Sequence, residues 1–123
     1  SSGSSSAYTL TGNGAAAYEI KIMVSNGCGA SSYNKFLAVG SNSNSLWRLN
    51  FIAGMSANGV PTVSRPDNST VVTTNPVIGC GDGSDGTALN YSLKVNPSTG
   101  ELTITNNGNI ARNYSVVIEK VFD

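Results

Sequence analysis

The sequence predicts an all-β fold: an antiparallel β-sandwich, jelly-roll-like, that ends in a C-terminal β-meander. Three observations predict it. Apolar and polar residues alternate at a spacing of two in several stretches, the period of a half-buried strand. Turn-forming Gly, Asn, Asp, Ser and Pro interrupt those stretches about every ten residues. No window shows sustained helical periodicity. About seven short strands spaced this way fit a sandwich or a jelly roll. A chain of 123 residues is long enough for one domain that buries roughly two thirds of its unfolded surface.

The elements follow in chain order. Residues 1–6 (SSGSSS) are low in complexity, and residues 1–14 read as a flexible N-terminal segment or linker. Residues 15–123 read as a single β-sandwich domain. Residues 17–24 (AYEIKIMV) alternate, with Tyr18, Ile20, Ile22 and Val24 on one face and Glu19 and Lys21 on the other. Ser25, Asn26 and Gly27 break that strand. Residues 33–39 (YNKFLAV) form the next, followed by a polar loop over 40–45. Residues 46–53 (LWRLNFIA) put Trp47, Leu49 and Phe51 in phase. Asn58 and Gly59 form a hairpin-type pair. Pro61 and Pro66 confine any strand over 60–72 to an edge or to a short length. Residues 75–87 (NPVIGCGDGSDGT) read as loop. The last third reads as the meander: Tyr91, Leu93 and Val95 share a face, Pro97 to Gly100 turn the chain, Leu102 and Ile104 continue the pattern, and Tyr114, Val116 and Ile118 close it.

Composition narrows function. Charged residues are 11% and the formal net charge is +0, against about 25% charged in average soluble proteins. Nucleic-acid binding needs a basic patch for phosphates, and the sequence shows none. No apolar run approaches the roughly 18 residues of a membrane span, so membrane insertion is not expected. A leader with a basic and then an apolar region is not visible either. The chain reads as a mature fragment or as one released by lysis. Its low charge and its wealth of hydroxyl and amide side chains suit an extracellular or virion surface.

The chemistry is sparse. The chain has no His, which removes the commonest general base and the His-based triads and metal sites. Of the carboxylates, Glu19, Glu101 and Glu119 fall at polar-face positions where solvated acids belong, so the chain is read as non-enzymatic. Cys28 and Cys80 each stand between glycines. A disulfide would close a loop of about 50 residues, worth roughly 4 kcal/mol in the chain-entropy model; two free thiols are the other reading. Asp82 and Asp85 in GDGSDG supply carboxylates, a hydroxyl and flexible backbone, which suits Ca2+, although the EF-hand spacing is missing; plain turn residues are the competing account. Sugars are held by aromatic faces and planar amides, so Tyr33, Asn34 and Trp47 are the binding candidates. Trp47 is also in phase with Leu49 and Phe51, as a core residue would be. Three Asn-X-Ser/Thr triplets, at Asn68, Asn90 and Asn113, are read as incidental in an Asn- and Ser-rich chain.

Residues 89–107 (LNYSLKVNPSTGELTITNN) and 114–120 (YSVVIEK) resemble the closing strands of bacteriophage appendage domains: the C-terminal tips of tail fibres and tail spikes, and related head-fibre and capsid-decoration modules. Residues 16–24 (AAYEIKIMV) resemble the first strand of such modules. The resemblance covers about 45 residues and rests on strand pattern and turn placement; residues 60–87 lie outside it. It implies a compact, trimeric β-sandwich on a virion surface, in contact with other virion proteins and with a host-surface glycan. The expectation is therefore a non-enzymatic virion structural protein. Its rivals are a capsid decoration protein that binds no receptor, and a subunit of an extracellular bacterial fibre or pilus that polymerises by strand donation.

Overall fold

Period-two alternation turns into strands almost everywhere it was read. The computed structural model describes residues 3–25, 31–41, 43, 46–56, 59–74, 89–108 and 113–122. They form β1 (Gly3–Thr9), β2 (Ala16–Ser25), β3 (Ser31–Gly40), β4 (Arg48–Ser56), β5 (Thr62–Asp67), β6 (Thr70–Thr74), β7 (Tyr91–Val95), β8 (Glu101–Asn106) and β9 (Tyr114–Phe122). Two antiparallel sheets result: five strands in the order β1-β8-β7-β6-β5 and four in the order β4-β3-β2-β9. The fold is an all-β, two-sheet sandwich.

The core lies between the sheets, built from the inward member of each alternating pair. Tyr18, Ile20, Ile22 and Val24 of β2 meet Tyr91, Leu93 and Val95 of β7 and Leu102 and Ile104 of β8, all buried. Leu10, Trp47 and Leu89 enter the same core from connecting segments. Aromatic edges lock the layers. Phe36 of β3 meets Tyr91 of β7 with ring centroids 6.4 Å apart, and Tyr91 meets Tyr114 of β9 at 5.5 Å; such tilted pairs add to the area they bury. Backbone bonds tie one end of the sandwich: the Leu10 amide donates to Gly100 O at 2.8 Å, Trp47 N to Pro97 O at 3.1 Å, and Leu49 N to Asn68 O at 2.8 Å.

Three expectations change. The N-terminal segment, read as lying outside the fold, contributes β1, which pairs with β8 from Gly3↔Asn106 to Thr9↔Glu101. Its Ser-rich sequence carries no alternation, but an edge strand needs mainly backbone pairing, which any non-proline residue supplies. The C-terminal meander is a two-strand hairpin, β7–β8, after which the chain crosses to the other sheet and β9 pairs with β2 from Val24↔Tyr114 to Ala17↔Phe122. A strand's own pattern specifies a buried face, not a partner, so sequential neighbours were the default. The hairpin-type turn read at Asn58 and Gly59 extends no further than one bridge, in which Ser56 and Gly59 exchange backbone hydrogen bonds at 2.7 and 3.1 Å. Gly59 has φ 132 and bridges Ser56, but β4 and β5 lie in different sheets; Asn58 itself lies outside the described residues.

The proline expectation holds. β5 is an edge strand, and its register with β6 shifts between Ser64 and Asp67, around Pro66. The Arg65 guanidinium compensates by reaching across to β4, donating from Nε and Nη2 to Leu49 O at 3.1 and 2.8 Å. Asp67 Oδ1 closes the turn to β6 by accepting the Ser69 amide at 2.8 Å, an Asx-type turn.

Candidate functional site

Strand alternation scatters the three residues read as a binding set. Tyr33 is outward on β3 and 47% exposed. Its neighbour Asn34 must then face inward, and it is fully buried, with Nδ2 donating to Tyr91 Oη at 2.8 Å and to Ser32 Oγ at 3.3 Å. Trp47 precedes β4 and is 1% exposed, its ring 6.1 Å from that of Tyr18. Asn34 and Trp47 are therefore core residues and present nothing to a sugar. Cys28, Cys80, Asp82 and Asp85 lie outside the described residues.

A cleft forms where the two sheets part, between edge strands β1 and β9. It holds about 490 Å³ and is lined by Tyr8, Thr11, Tyr18, Val116, Ile118 and Lys120, within the size range of small-molecule sites. Val116 and Ile118 are inward residues of β9, half-buried because β9 has no strand on its far side. Lys120 stands directly opposite Tyr18 in the ladder. It is an inward position at a sheet edge, and the side chain lays its ammonium 5.4 Å from the Tyr18 ring centre, a cation–π contact. The Tyr18 hydroxyl donates to Thr11 O at 2.9 Å and accepts the Thr11 amide at 3.2 Å. Burial pushes the Tyr18 phenol up, but the Thr11 hydrogen bonds and the Lys120 ammonium together outweigh it, so it sits below its ordinary value. Tyr8 continues the aromatic line, 6.3 Å from Tyr18 and 48% exposed. The cleft thus offers an apolar floor, an exposed aromatic, hydroxyls and a cation, a set suited to holding a small polar or anionic group rather than to proton transfer between paired acids.

The sequence does not announce this cleft. Tyr18 read correctly as an inward strand residue. Lys120 gave no signal, because its placement depends on the β2–β9 pairing.

A second surface lies on the outside of the four-stranded sheet. Its ladder sets the outward residues in four rows. The first is Met55, Tyr33, Met23 and Ser115. The second is Ala53, Lys35, Lys21 and Val117. The third is Asn50, Leu37, Glu19 and Glu119. The fourth is Arg48, Val39, Ala17 and Phe122. Met55, Phe122, Val117, Tyr33, Met23 and Val39 are all among the exposed large apolar side chains. Lys35 Nζ meets Glu19 Oε2 at 3.3 Å between the middle rows. The outside of the five-stranded sheet differs: its outward residues on β6, β7 and β8 include Thr70, Ser92, Lys94, Thr103 and Thr105.

No protein-family model, curated protein or solved structure matches the chain. The fold and its surfaces define a two-sheet antiparallel β-sandwich with an amphipathic cleft at one edge and an outer face on which exposed apolar side chains flank charged ones.

Proposed function

We propose that this chain is a non-enzymatic structural protein of a bacteriophage particle, displayed on the virion surface, which works by assembling with copies of itself. The observation that carries the assembly is the outer face of the four-stranded sheet, where Met55, Tyr33 and Met23 stand side by side in one exposed apolar row, with Val39 and Phe122 at the far end of the face beyond Lys21, Lys35, Glu19 and Glu119. Apolar residues scattered singly on a surface are ordinary; a group on one sheet face marks an interaction surface. The resemblance of the closing strands supports the virion half of the reading and implies three copies. The host-surface contact is assigned to the cleft, where Tyr8 and Lys120 present an aromatic face and a cation.

Light scattering on the purified protein tests the reading. A mass of more than one chain, together with binding to purified particles, supports it. A single-chain mass at every concentration with no particle binding counts against it. Binding to empty capsids but not to cells assigns the protein to capsid decoration. One observation favours the fibre-subunit reading: β1 forms an edge strand on β8, the position a donated strand occupies. Removing residues 1–9 and restoring assembly with the matching free peptide distinguishes it.

A further inference from the structure

We infer that the cleft between β1 and β9 binds an acidic sugar, a pyranose ring carrying a carboxylate, with the ring against Tyr8 and the carboxylate on Lys120. The inference rests on the host-contact reading of this cleft and names its ligand class. Lys120 breaks the pattern of its own strand. The inward positions of β9 run Tyr114, Val116, Ile118 and then Lys120, where an apolar side chain would have continued the floor. The ammonium stands 5.4 Å from the centre of the Tyr18 ring, and Tyr18 is itself fixed by burial in β2. Lys120 stays exposed, so the charge is held in place at the mouth of the cleft instead of being buried in it. Among the described residues that line the cleft, none is a carboxylate, so the local field favours an anion.

An inward lysine on an edge strand has a plainer use, guarding the edge against a further strand. A guard needs only the charge. This cleft also has an aromatic wall on the opposite sheet: Tyr8 of β1 is 48% exposed, with its ring 6.3 Å from that of Tyr18. Tyr8 and the Lys120 ammonium thus both rest on the Tyr18 ring, close enough for one ring-sized ligand to reach the two. Thr11 is exposed beside them, its Oγ1 3.4 Å from Tyr18 Oη, and offers a hydroxyl to a sugar hydroxyl. The Tyr18 hydroxyl is engaged by the Thr11 backbone, so it orients the site and does not bind. A bare anion would use the cation and leave the aromatic wall and the Val116 and Ile118 floor idle. A neutral sugar would lay its C–H face on the wall and the floor and leave the cation idle. A carboxylated ring uses all three, in a site that combines apolar lining with a few placed polar groups.

The test is a titration of the isotope-labelled full chain, followed by its amide NMR shifts at constant ionic strength. The probes are methyl β-glucuronide, methyl β-glucoside and sulfate. The two glycosides differ only in a carboxylate against a hydroxymethyl group. The glucuronide is expected to shift the amides of Tyr8, Thr11, Tyr18 and Lys120. It is also expected to bind roughly fivefold more tightly than the glucoside, the order of gain that an exposed ion pair supplies. Lys120→Met is expected to bring the glucuronide down to the level of the glucoside, and Tyr8→Ala to weaken both alike; circular dichroism confirms that each variant is folded. Equal binding of the two glycosides by the wild type overturns the acidic class and leaves the cleft standing as a host contact. Sulfate that shifts the same amides as strongly as the glucuronide shows an anion site with no use for the sugar ring, and overturns the inference as well. No shift with any probe overturns both the inference and the host contact at this cleft. Lys120 is then an edge guard, and binding to particles still leaves the assembly reading standing.

Discussion

Tyr91 shows how much one inward position can carry. Its hydroxyl accepts Asn34 Nδ2, its carbonyl accepts Thr73 Oγ1 at 3.1 Å, and its ring touches Phe36 and Tyr114. Burial raises its phenol above the ordinary value of 10. Folded protein therefore keeps this proton where unfolded chain releases it. Above about pH 10 the unfolded state binds fewer protons, and stability falls as pH rises. Tyr91→Phe is expected to cost about 1–3 kcal/mol at neutral pH, by leaving a buried amide short of a partner, and to flatten the alkaline decline; urea melts at pH 7 and pH 11 check both. Tyr18 titrates in the opposite sense. Lys120→Met removes the cation that helps hold its phenol down, so the tyrosinate absorbance titration should show one group moving to higher pH, while an unchanged curve would show that Lys120 does not govern the cleft. Neither role was legible in the sequence. Tyr18 and Tyr91 read correctly as inward, but their partners Lys120 and Asn34 come from strands far away in the chain, and pattern alone does not name partners. Asn34 was misjudged for a related reason: a planar amide beside Tyr33 suggested a sugar contact, whereas its inward neighbour Gly54 leaves room for the amide, and a Cβ at Gly54 would collide with Asn34 Oδ1.

At the scale of the element, the turn between β7 and β8 was read correctly because its chemistry is local. Asn96 Oδ1 accepts the Ser98 and Thr99 amides at 2.9 and 3.1 Å, and Gly100 closes the turn with φ 76, a conformation that costs residues with a Cβ about 1 kcal/mol or more. The structure adds a reason the sequence does not hold. A Cβ at Gly100 would come 2.5 Å from Leu10 O and 3.0 Å from Trp47 Nε1, so the turn is also the place where the first strand's exit and the buried indole close on the hairpin. Gly100→Ala is therefore expected to cost about 2–4 kcal/mol, strain and overpacking together, and to lower the melting temperature by roughly 10 °C. A loss below about 1 kcal/mol would mean that the contact with Leu10 and Trp47 yields freely. Strand faces were legible for the same local reason, since alternation is a property of a short window: β2, β7 and β8 bury the residues assigned to them. Strand order was not. β1 has no apolar pattern to announce it, and β9 carries the same alternation whether it pairs with β8 or with β2.

For the whole molecule, those two unannounced pairings decide cooperativity. β1 closes the five-stranded sheet on β8, and β9 closes the four-stranded sheet on β2, so residues from the two ends of the chain complete both layers. The β7–β8 hairpin alone buries neither of its faces, and β2, β3 and β4 lack the opposite wall of their core. Loop closure over most of the chain must precede the contacts that offset it, the condition under which all-β domains fold slowly. Trp47 is the chain's single tryptophan, buried and packed beside Tyr18, and it reports core formation directly. Stopped-flow refolding followed by its fluorescence is expected to show one main phase in the millisecond-to-second range. Equilibrium unfolding by fluorescence and by far-ultraviolet circular dichroism should give coincident transitions. Removing residues 114–123 tests the cause: without β9, the inward face of β2 loses its neighbour and Tyr91 loses the Tyr114 ring, so the cooperative transition should disappear. A truncated chain that still unfolds sharply, or a wild type whose fluorescence changes well before its dichroism, would show that the sheets are stable separately and that the far pairings only decorate them.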